Sequence, residues 1–220
     1  MDRGTLEYLM FSPSLALGLF YVIVGASMQR MTLADLRRYL RHTRRQLSAA
    51  SRRQAGRQVA DQLRRHPNIQ AAQHIGIYLD DFGEVPTSAL ILQLLAQGKT
   101  VYLPVIRPFD QRLVFVPICM QQYRQRRFYQ HRLGMLEPRG QRGRLVAQLD
   151  VLIMPLVAVD QRGIRLGMGG GFYDRTLAHA PARPYRIGLA YPFQQLALLP
   201  ARPWDQALDA VVTPELITYF

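Results

Sequence analysis

Short apolar segments that alternate with helix-compatible segments constrain this chain more than any other feature of its sequence. Apolar runs of strand length lie at residues 74–79, 100–105, 113–118, 150–154, 186–190 and 210–213. These runs are apolar on both sides, which is typical of a mainly parallel sheet covered by helices. With 49% apolar and 20% charged residues, the chain has the composition of a folded protein and not of a disordered one.

Helix signals precede and separate these runs. Thr32 followed by Asp35 matches a capping box and predicts the start of a helix. Ser48 is a suitable N-cap for a second helix, and Gly98 has the position of the residue that closes a third. We therefore expect helices from Thr32 to about Gln46 and over residues 49–65 and 87–96.

The single cysteine of this 220-residue chain limits the chemistry that is available to it. Cys119 alone forms no internal disulfide, and no cysteine-based zinc site can be built from it. It follows the apolar run 113–118, so we expect a small apolar residue of that strand. A chain without disulfides suits a reducing compartment, which predicts a cytoplasmic protein.

Arginine dominates the charge of the chain, whose formal net charge is +13 and whose only lysine is Lys99. Residues 35–65 contain ten arginines and two aspartates, and residues 124–144 contain seven arginines and one glutamate. Such clusters bind polyanions, namely nucleic acid, nucleotide phosphates or acidic small molecules, but they also form ordinary solvated helix faces. Neither cluster has the interleaved aromatic residues of a nucleic-acid stacking surface, so we expect no specific nucleic-acid partner.

The N-terminal segment allows several interpretations. Residues 9–26 are uncharged and near the lower length limit for a membrane-spanning helix. They also have the length of a secretion signal, although the segment before them contains two acidic residues and one arginine. Translation from Met28 or Met31 would make the segment dispensable. We treat residues 1–30 as an extension of open status and 31–220 as the folded domain, so membrane contact is expected only if the apolar stretch is an anchor.

A glycine-rich segment, RLGMGGGFYDR at residues 165–175, is the strongest sign of a binding site. Its glycines are Gly167, Gly169, Gly170 and Gly171. A backbone without side chains approaches a ligand closely and points successive N–H groups at an anion. Arg165 and Arg175 flank the segment, and the helix-compatible residues 172–178 follow it. The spacing matches neither a Walker loop nor a complete GxGxxG, so phosphate binding and a structural turn both remain open.

Acidic residues near this segment and in the C-terminal tail are candidate metal ligands. Asp174 directly follows the glycines, and Asp205 and Asp209 are spaced for one face of a helix. Magnesium needs only one or two protein carboxylates when it also binds phosphate. The alternative roles are an acidic residue in the first turn of a helix for Asp174 and a helix cap for one of the other two.

Four separated blocks resemble the 5-formyltetrahydrofolate cyclo-ligase family, also called methenyltetrahydrofolate synthetases. Residues 150–177 resemble its strand with a proline followed by G-x-R-L-G-x-G-x-G-[YF]-Y-D-x-x-L. The other blocks are IGIYLDDFGEVPTSALILQLLAQGKTVYLPV, LGMLEP and the tail PARPWDQALDAVVT. The resemblance covers residues 33–214, with the blocks in the family's order.

This resemblance implies an α/β fold, specifically a three-layer α/β/α single domain with a mainly parallel central sheet. Family members convert 5-formyltetrahydrofolate to 5,10-methenyltetrahydrofolate and consume ATP with Mg²⁺, through a phosphorylated formyl intermediate that leaves ADP and phosphate. We therefore expect 5-formyltetrahydrofolate and ATP as partners, Mg²⁺ as cofactor, and a monomer. Two anionic substrates would also account for the arginine clusters.

The resemblance also assigns residues to these ligands. The residues expected at ATP are Arg37, Arg165, Leu166, Gly167, Met168, Gly169, Gly170, Gly171, Phe172 and Tyr173. Those expected at the folate are Glu84, Leu79 and Tyr173, with Tyr78 as a further candidate wall, and those at the metal are Asp174 and Asp205. The residues alone leave other roles open, because Glu84 would equally be a surface acid in a turn and Leu79 and Tyr78 would equally be core residues.

Two positions depart from the family pattern. Leu33 stands where the family often has a lysine, four residues before Arg37. This change removes one expected phosphate contact unless a neighbouring arginine replaces it. Phe172 takes the first place of a pair of tyrosines, so one hydroxyl is lost.

Overall fold

The computed structural model of the chain describes residues 32–140 and 143–220. The N-terminal extension, with its membrane, signal and start-site interpretations, lies outside these residues. Among the helices within them, none is both long and apolar enough to cross a bilayer.

The described residues form both helices and strands, and most of these elements are short. The helices are α1 (Leu33–Gln46), α2 (Ala49–Arg64), α3 (Pro67–Ala71), α4 (Ser88–Ala96), α5 (Met120–Arg124) and α6 (Phe172–Leu177), with 3₁₀ turns at Val146–Gln148 and Pro192–Gln194. The strands are β1 (His74–Gly76), β2 (Thr100–Ile106), β3 (Leu113–Ile118), β4 (Phe128–Gln130), β5 (Leu136–Pro138), β6 (Val151–Pro155), β7 (Ala158–Asp160), β8 (Arg165–Leu166), β9 (Tyr185–Leu189), β10 (Gln195–Leu196), β11 (Ala210–Val212) and β12 (Ile217–Tyr219).

The central sheet has seven strands in the order β12–β11–β9–β6–β1–β2–β3. Its inner strands are parallel, and Ile75 of β1 pairs with Val101 of β2 on one side and with Val151 of β6 on the other. Only the two edge strands, β3 and β12, run antiparallel to their neighbours. The prediction of a mainly parallel sheet in an α/β fold is therefore confirmed.

Successive residues of the central strands bury their side chains on opposite faces of the sheet. Val151 and Ile153 pack in one apolar cluster with α2, α3 and α4. Leu152 and Met154 pack in a second cluster with Leu177 of α6. Because side chains alternate along a strand, a run that is apolar at every position requires a cover on both faces. Helices supply both covers, which gives the three layers.

A small sheet beside the central one positions the glycine-rich segment. Its strands have the order β10–β7–β8, and β7 and β8 form an antiparallel hairpin that delivers the chain to residue 167. Helix α1 packs on this sheet through Leu36 and Leu40, which contact Ala158 and Leu166 in a third apolar cluster. Arg37 of α1 thereby reaches the segment that follows β8.

The predicted helix signals are mostly confirmed. The Oγ1 of Thr32 accepts a hydrogen bond from the backbone N–H of Asp35 at 3.2 Å, and the Oγ of Ser48 accepts one from Ser51 at 3.0 Å. These bonds satisfy N–H groups that have no partner inside the helix. Gly98 has a positive φ of 74° after α4, as expected of a residue that closes a helix.

Three predictions were wrong in detail. The strand predicted over 74–79 ends at Gly76, because the chain then turns away toward the loop 80–84. Beyond the end of the strand, the carbonyl of Tyr78 accepts a hydrogen bond from the Oγ1 of Thr87. Cys119 lies just past β3, where it is exposed and caps α5. Residues 205–209 are not helical, so the spacing of the two aspartates there does not place them on one helix face.

Candidate active site

The glycine-rich segment forms an open loop between β8 and α6. Gly169 has a φ of +106° and Gly171 a φ of +64°, both in the left-handed region that favours glycine. A Cβ added to Gly167 or Gly169 would meet no atom within 4 Å. The glycines thus shape the loop and leave free space beside it, which is what close approach of a ligand requires.

The backbone N–H groups of this loop are unused. From Gly167 to Tyr173 none of them donates a hydrogen bond to any residue of 32–140 or 143–220. Two loop carbonyls do have partners, since the Nε of Arg37 donates to Gly167 at 2.9 Å and the Nη2 of Arg175 donates to Gly170 at 2.6 Å. Side chains therefore hold the loop by its acceptors and leave its donors available to an anion.

A cavity of about 740 Å³ lies against this loop. This is within the usual range for small-molecule and cofactor sites. Its charged lining consists of Arg37, Arg112, Arg165, Arg175, Arg202, Asp110, Asp174 and Asp205. Burial lowers the pKa of Arg37, and the nearby positive charge of Arg202 lowers it further. Two guanidinium groups in such proximity favour an anionic ligand between or beside them.

Two of the acids in this lining have oxygens to spare. The Oδ1 of Asp174 accepts from the Nη2 of Arg165 at 3.0 Å and from the backbone N–H of Gln206 at 3.1 Å. The Oδ2 of Asp205 accepts from the backbone N–H of Arg202 at 2.8 Å. Within the described part of the chain, the second oxygen of each carboxylate accepts no hydrogen bond.

The carboxylate oxygens on the cavity wall fit magnesium better than a metal ion that is coordinated entirely by protein side chains. The described residues contain no group of three or more His, Cys, Asp or Glu side chains that could hold a metal ion. Magnesium keeps several waters and binds through one or two carboxylates together with phosphate oxygens. The free oxygens of Asp174 and Asp205 on the wall of a basic cavity meet that requirement. Asp209 is not part of this set, because it does not line the cavity, and its Oδ2 accepts the backbone N–H of Arg186.

The structure places the expected ATP residues in two groups. Arg37, Arg165, Leu166, Gly167, Gly169 and Gly171 line the cavity, whereas Met168, Gly170, Phe172 and Tyr173 do not. The ring of Phe172 packs against the second apolar cluster, and Tyr173 lies beside Arg165. Because Phe172 does not line the cavity, having phenylalanine here in place of the family's tyrosine removes no hydroxyl from the cavity lining. Leu33, at the other departure from the family pattern, does line it.

Glu84 lies outside this cavity, in a polar group that we call the Glu84 cluster: Glu84, Arg44, Tyr78, Tyr173 and Tyr191. The carboxylate is 3.5 Å from the Nη2 of Arg44, and the side chains of Arg44 and Glu84 are 0% and 10% exposed. Glu84 also accepts the backbone N–H of Asp81 at 3.2 Å. The hydroxyl of Tyr191 donates to the carbonyl of Glu84 at 3.2 Å.

Burial controls the protonation of this cluster. It raises the pKa of Glu84 to about 7, although the positive charge of Arg44 acts in the opposite direction. Burial also raises the pKa of Tyr173, and the negative charge of Glu84 raises it further. The guanidinium of Arg165, which lines the cavity, lies 5.8 Å from the centre of the Tyr173 ring. Tyr173 is thus the expected site residue that connects the cavity with the Glu84 cluster.

The remaining expected folate residues lie on the sheet side of this cluster. The hydroxyl of Tyr78 donates to the carbonyl of Val85 at 3.0 Å, and the side chain is buried in the first apolar cluster. Leu79 is partly buried against the same cluster. Neither residue lines the cavity beside the glycine loop.

Sequence reasoning missed Arg44, which the structure places at the centre of several elements. Its Nε donates to the carbonyl of Phe82 at 2.9 Å, its Nη1 to that of Leu156 at 3.2 Å, and its Nη2 lies 4.0 Å from the Sδ of Met168. A signal was present, because positions 36, 40 and 44 follow the four-residue spacing of one helix face. The two leucines at the first two positions mark that face as buried.

Sequence reasoning also missed Arg202 and Trp204, which line the cavity next to Asp205. The only sequence signal for these two residues is that they lie close to Asp205, a candidate metal ligand. A tryptophan and an arginine in a polar tail are typical of many exposed segments, so the pattern alone does not mark them.

Comparisons with known proteins point to one family. The model of the 5-formyltetrahydrofolate cyclo-ligase family matches residues 30–214. The 5-formyltetrahydrofolate cyclo-ligase of Escherichia coli (strain K12) is 40% identical over 184 residues, which cover 81% of this chain and 98% of that protein. The protein of the same name from Haemophilus influenzae is 37% identical over 177 residues, which cover 79% and 93%.

A solved structure supports the same assignment. The NMR structure of Aquifex aeolicus 5,10-methenyltetrahydrofolate synthetase superimposes with a TM-score of 0.72 at 29% identity, covering 86% of this chain and 93% of that one. The family match spans most of the chain, and the predicted resemblance is confirmed. The chain therefore belongs to the 5-formyltetrahydrofolate cyclo-ligase family and is an enzyme of the ligase class.

Proposed function

We propose that this protein uses ATP to cyclise 5-formyltetrahydrofolate to 5,10-methenyltetrahydrofolate, with ADP and phosphate as the other products. The observation that carries the ATP requirement is the row of unused N–H groups from Gly167 to Tyr173 beside a basic cavity. Family membership supports the folate substrate. We further propose that residues 31–220 act as a single-domain monomer in the cytoplasm, independently of residues 1–30.

The chemistry explains why ATP would be needed. N10 of the folate must displace the formyl oxygen, which is a poor leaving group on an amide-like carbon. Transfer of the γ-phosphoryl group to that oxygen breaks the bond to ADP and makes the formyl carbon electrophilic. N10 then attacks within the same molecule, its proton is released, and the C–O bond breaks to give phosphate.

The residues of the cavity would position the triphosphate and neutralise its charge. The N–H groups of the loop donate to phosphate oxygens, and Arg37 and Arg165 supply positive charge where phosphoryl transfer requires it. Asp174 and Asp205 would hold Mg²⁺ through their free oxygens. When bound, that ion neutralises charge on the phosphates.

Glu84, together with Leu79 and Tyr173, is proposed to contact the folate ring. A carboxylate accepts hydrogen bonds from the amino and ring N–H groups of a pterin. Because Glu84 does not line the cavity beside the glycine loop, Glu84→Gln should raise the KM for the folate and leave the KM for ATP unchanged. A change confined to ATP would contradict this assignment.

A spectroscopic assay tests the proposed reaction. Protein, 5-formyltetrahydrofolate and MgATP should produce the absorbance of the methenyl product together with one ADP for each product molecule. A non-hydrolysable ATP analogue should give no absorbance change. Folded protein that forms no product would overturn the activity, and equal rates without ATP would overturn the proposed mechanism.

A further inference from the structure

One wall of the cavity differs from the charged wall at the glycine loop. Leu33 and Ile164 pack against the third apolar cluster, to which Leu199 belongs, and all three line the cavity. Pro200 and Trp204 continue this apolar wall along the chain. The side chain of Trp204 is 59% exposed. A large aromatic ring that remains open to solvent on the wall of a cavity is available to a ligand.

A triphosphate alone does not explain this wall. Phosphates bind to N–H groups and guanidinium groups, and an apolar surface gives them no compensation for lost water. A nucleotide has both kinds of surface, because its phosphates are anionic and its base is flat and aromatic. The cavity of about 740 Å³ also exceeds what phosphates alone would need, and it falls within the usual range for drug-sized ligands.

A turn fixes the backbone that carries the indole ring. The backbone N–H of Arg202 donates to Asp205 at 2.8 Å, and the N–H of Asp205 donates to the carbonyl of Arg202 at 3.0 Å. The guanidinium of Arg202 lies 5.6 Å from the centre of the Trp204 ring. The turn fixes the backbone around Trp204 and the guanidinium lies near its ring, so that less entropy is lost when a base stacks on the ring.

We propose that Trp204 is the platform on which the purine base of the nucleotide stacks, and that it makes the site prefer a nucleotide over an inorganic triphosphate. This inference rests on the proposed function, since it takes ATP as the occupant of the cavity. Stacking uses the flat face of a base and not its edges. Trp204 therefore contributes to affinity for the base, while the glycine loop and the arginines contribute affinity for the phosphates.

The protein offers a direct readout, because Trp204 is its only tryptophan. We would titrate the full chain with MgATP and with magnesium tripolyphosphate, and follow both titrations by tryptophan emission and by calorimetry. MgATP should change the emission with the same Kd that calorimetry gives. Tripolyphosphate should bind with little change in emission.

Variants separate the base from the phosphates. Trp204→Ala should weaken MgATP binding roughly tenfold or more and leave tripolyphosphate binding within about twofold, as expected for loss of one stacked base. Trp204→Phe should retain most of the MgATP affinity. Leu198→Ala is the matched control, because this exposed leucine lies in the same region of the chain but outside the cavity lining, and it should change neither affinity.

The outcomes distinguish this inference from the proposed function. If Trp204→Ala weakens both ligands equally or neither, or if MgATP binds the wild-type protein without a change in emission, the stacking role is wrong although ATP binding stands. If calorimetry detects no MgATP binding to the folded wild-type protein, both the ATP requirement and the stacking role are overturned.

Discussion

The glycine-loop cavity and the Glu84 cluster both contain charged groups, but they differ in how those groups are satisfied. In the cavity, the loop N–H groups and one oxygen of each of Asp174 and Asp205 have no partner among the described residues. In the Glu84 cluster, Arg44 and Glu84 are almost fully buried and bonded to each other and to backbone groups. The first region thus leaves donors and acceptors open to water or to a ligand, whereas the second is completed by the protein itself.

This difference predicts different consequences of mutation. A change in the cavity should reduce ligand binding or turnover while the fold persists, because the loop N–H groups and one oxygen of each carboxylate have no partner among the described residues. A change in the Glu84 cluster should reduce stability first, because it leaves a buried polar group without its partner.

The largest effect is expected for Arg44→Met, which leaves the carboxylate of Glu84 buried without its cation. Breaking a buried ion pair in this way should cost about 3–5 kcal/mol of the free energy of unfolding. Urea denaturation measures it, and Arg45→Met at the neighbouring exposed position is the control. The double variant with Glu84→Gln should recover part of the loss. Equal stability of Arg44→Met and the control would contradict the importance of the pair.

Glu84→Gln should change how stability depends on pH. The pKa of Glu84 is about 7 in the folded state and ordinarily 4.5, so the folded state binds the proton more tightly than the unfolded state. The contribution of this proton binding to the free energy of unfolding is lost as the pH rises from 4.5 to 7. At about 1.4 kcal/mol for each pKa unit, the variant should gain about 3 kcal/mol relative to wild type between pH 4 and pH 8. Parallel unfolding curves of both proteins at those pH values would show it. A constant difference between them would contradict the raised pKa.

Asp174→Ala tests the cavity. Loss of a group that positions the triphosphate and its metal should reduce turnover about 100-fold, with the fold retained by circular dichroism. Asp61→Ala, an exposed acid of α2, is the control and should have wild-type turnover. Wild-type activity of Asp174→Ala would remove this residue from the metal site.

The smallest expected effect is the difference in stability between alanine substitutions at two glycines of the loop. Gly169 requires a φ of +106°, so Gly169→Ala should strain the loop by about 1 kcal/mol and raise the KM for ATP. At Gly167, which has no positive φ, an added Cβ meets free space, so Gly167→Ala should have a smaller effect on stability. Thermal unfolding and ATP titration of both variants measure the contrast. Equal stability losses would show that loop strain is not the cause.

Patterns of neighbouring residues predicted most of the fold. The apolar runs predicted the parallel sheet because a strand buried on both faces must be apolar at every position. The glycine-rich segment indicated either an anion-binding loop or a structural turn, and its N–H groups have no partner among the described residues. What the patterns could not predict were short elements such as β7, β8 and α5, whose few residues carry too little periodicity to be recognised.

The sequence by itself determined where the sheet, the capped helices and the open loop would form, because these depend on residues close together in the chain. Only the tertiary structure decided that Arg44, among ten arginines in residues 35–65, would be buried against Glu84, and that Trp204 would face the same cavity as Gly167. Burial and charge interactions depend on which distant segments pack together. For that reason the pKa of Glu84 and the two walls of the cavity are properties of the folded chain.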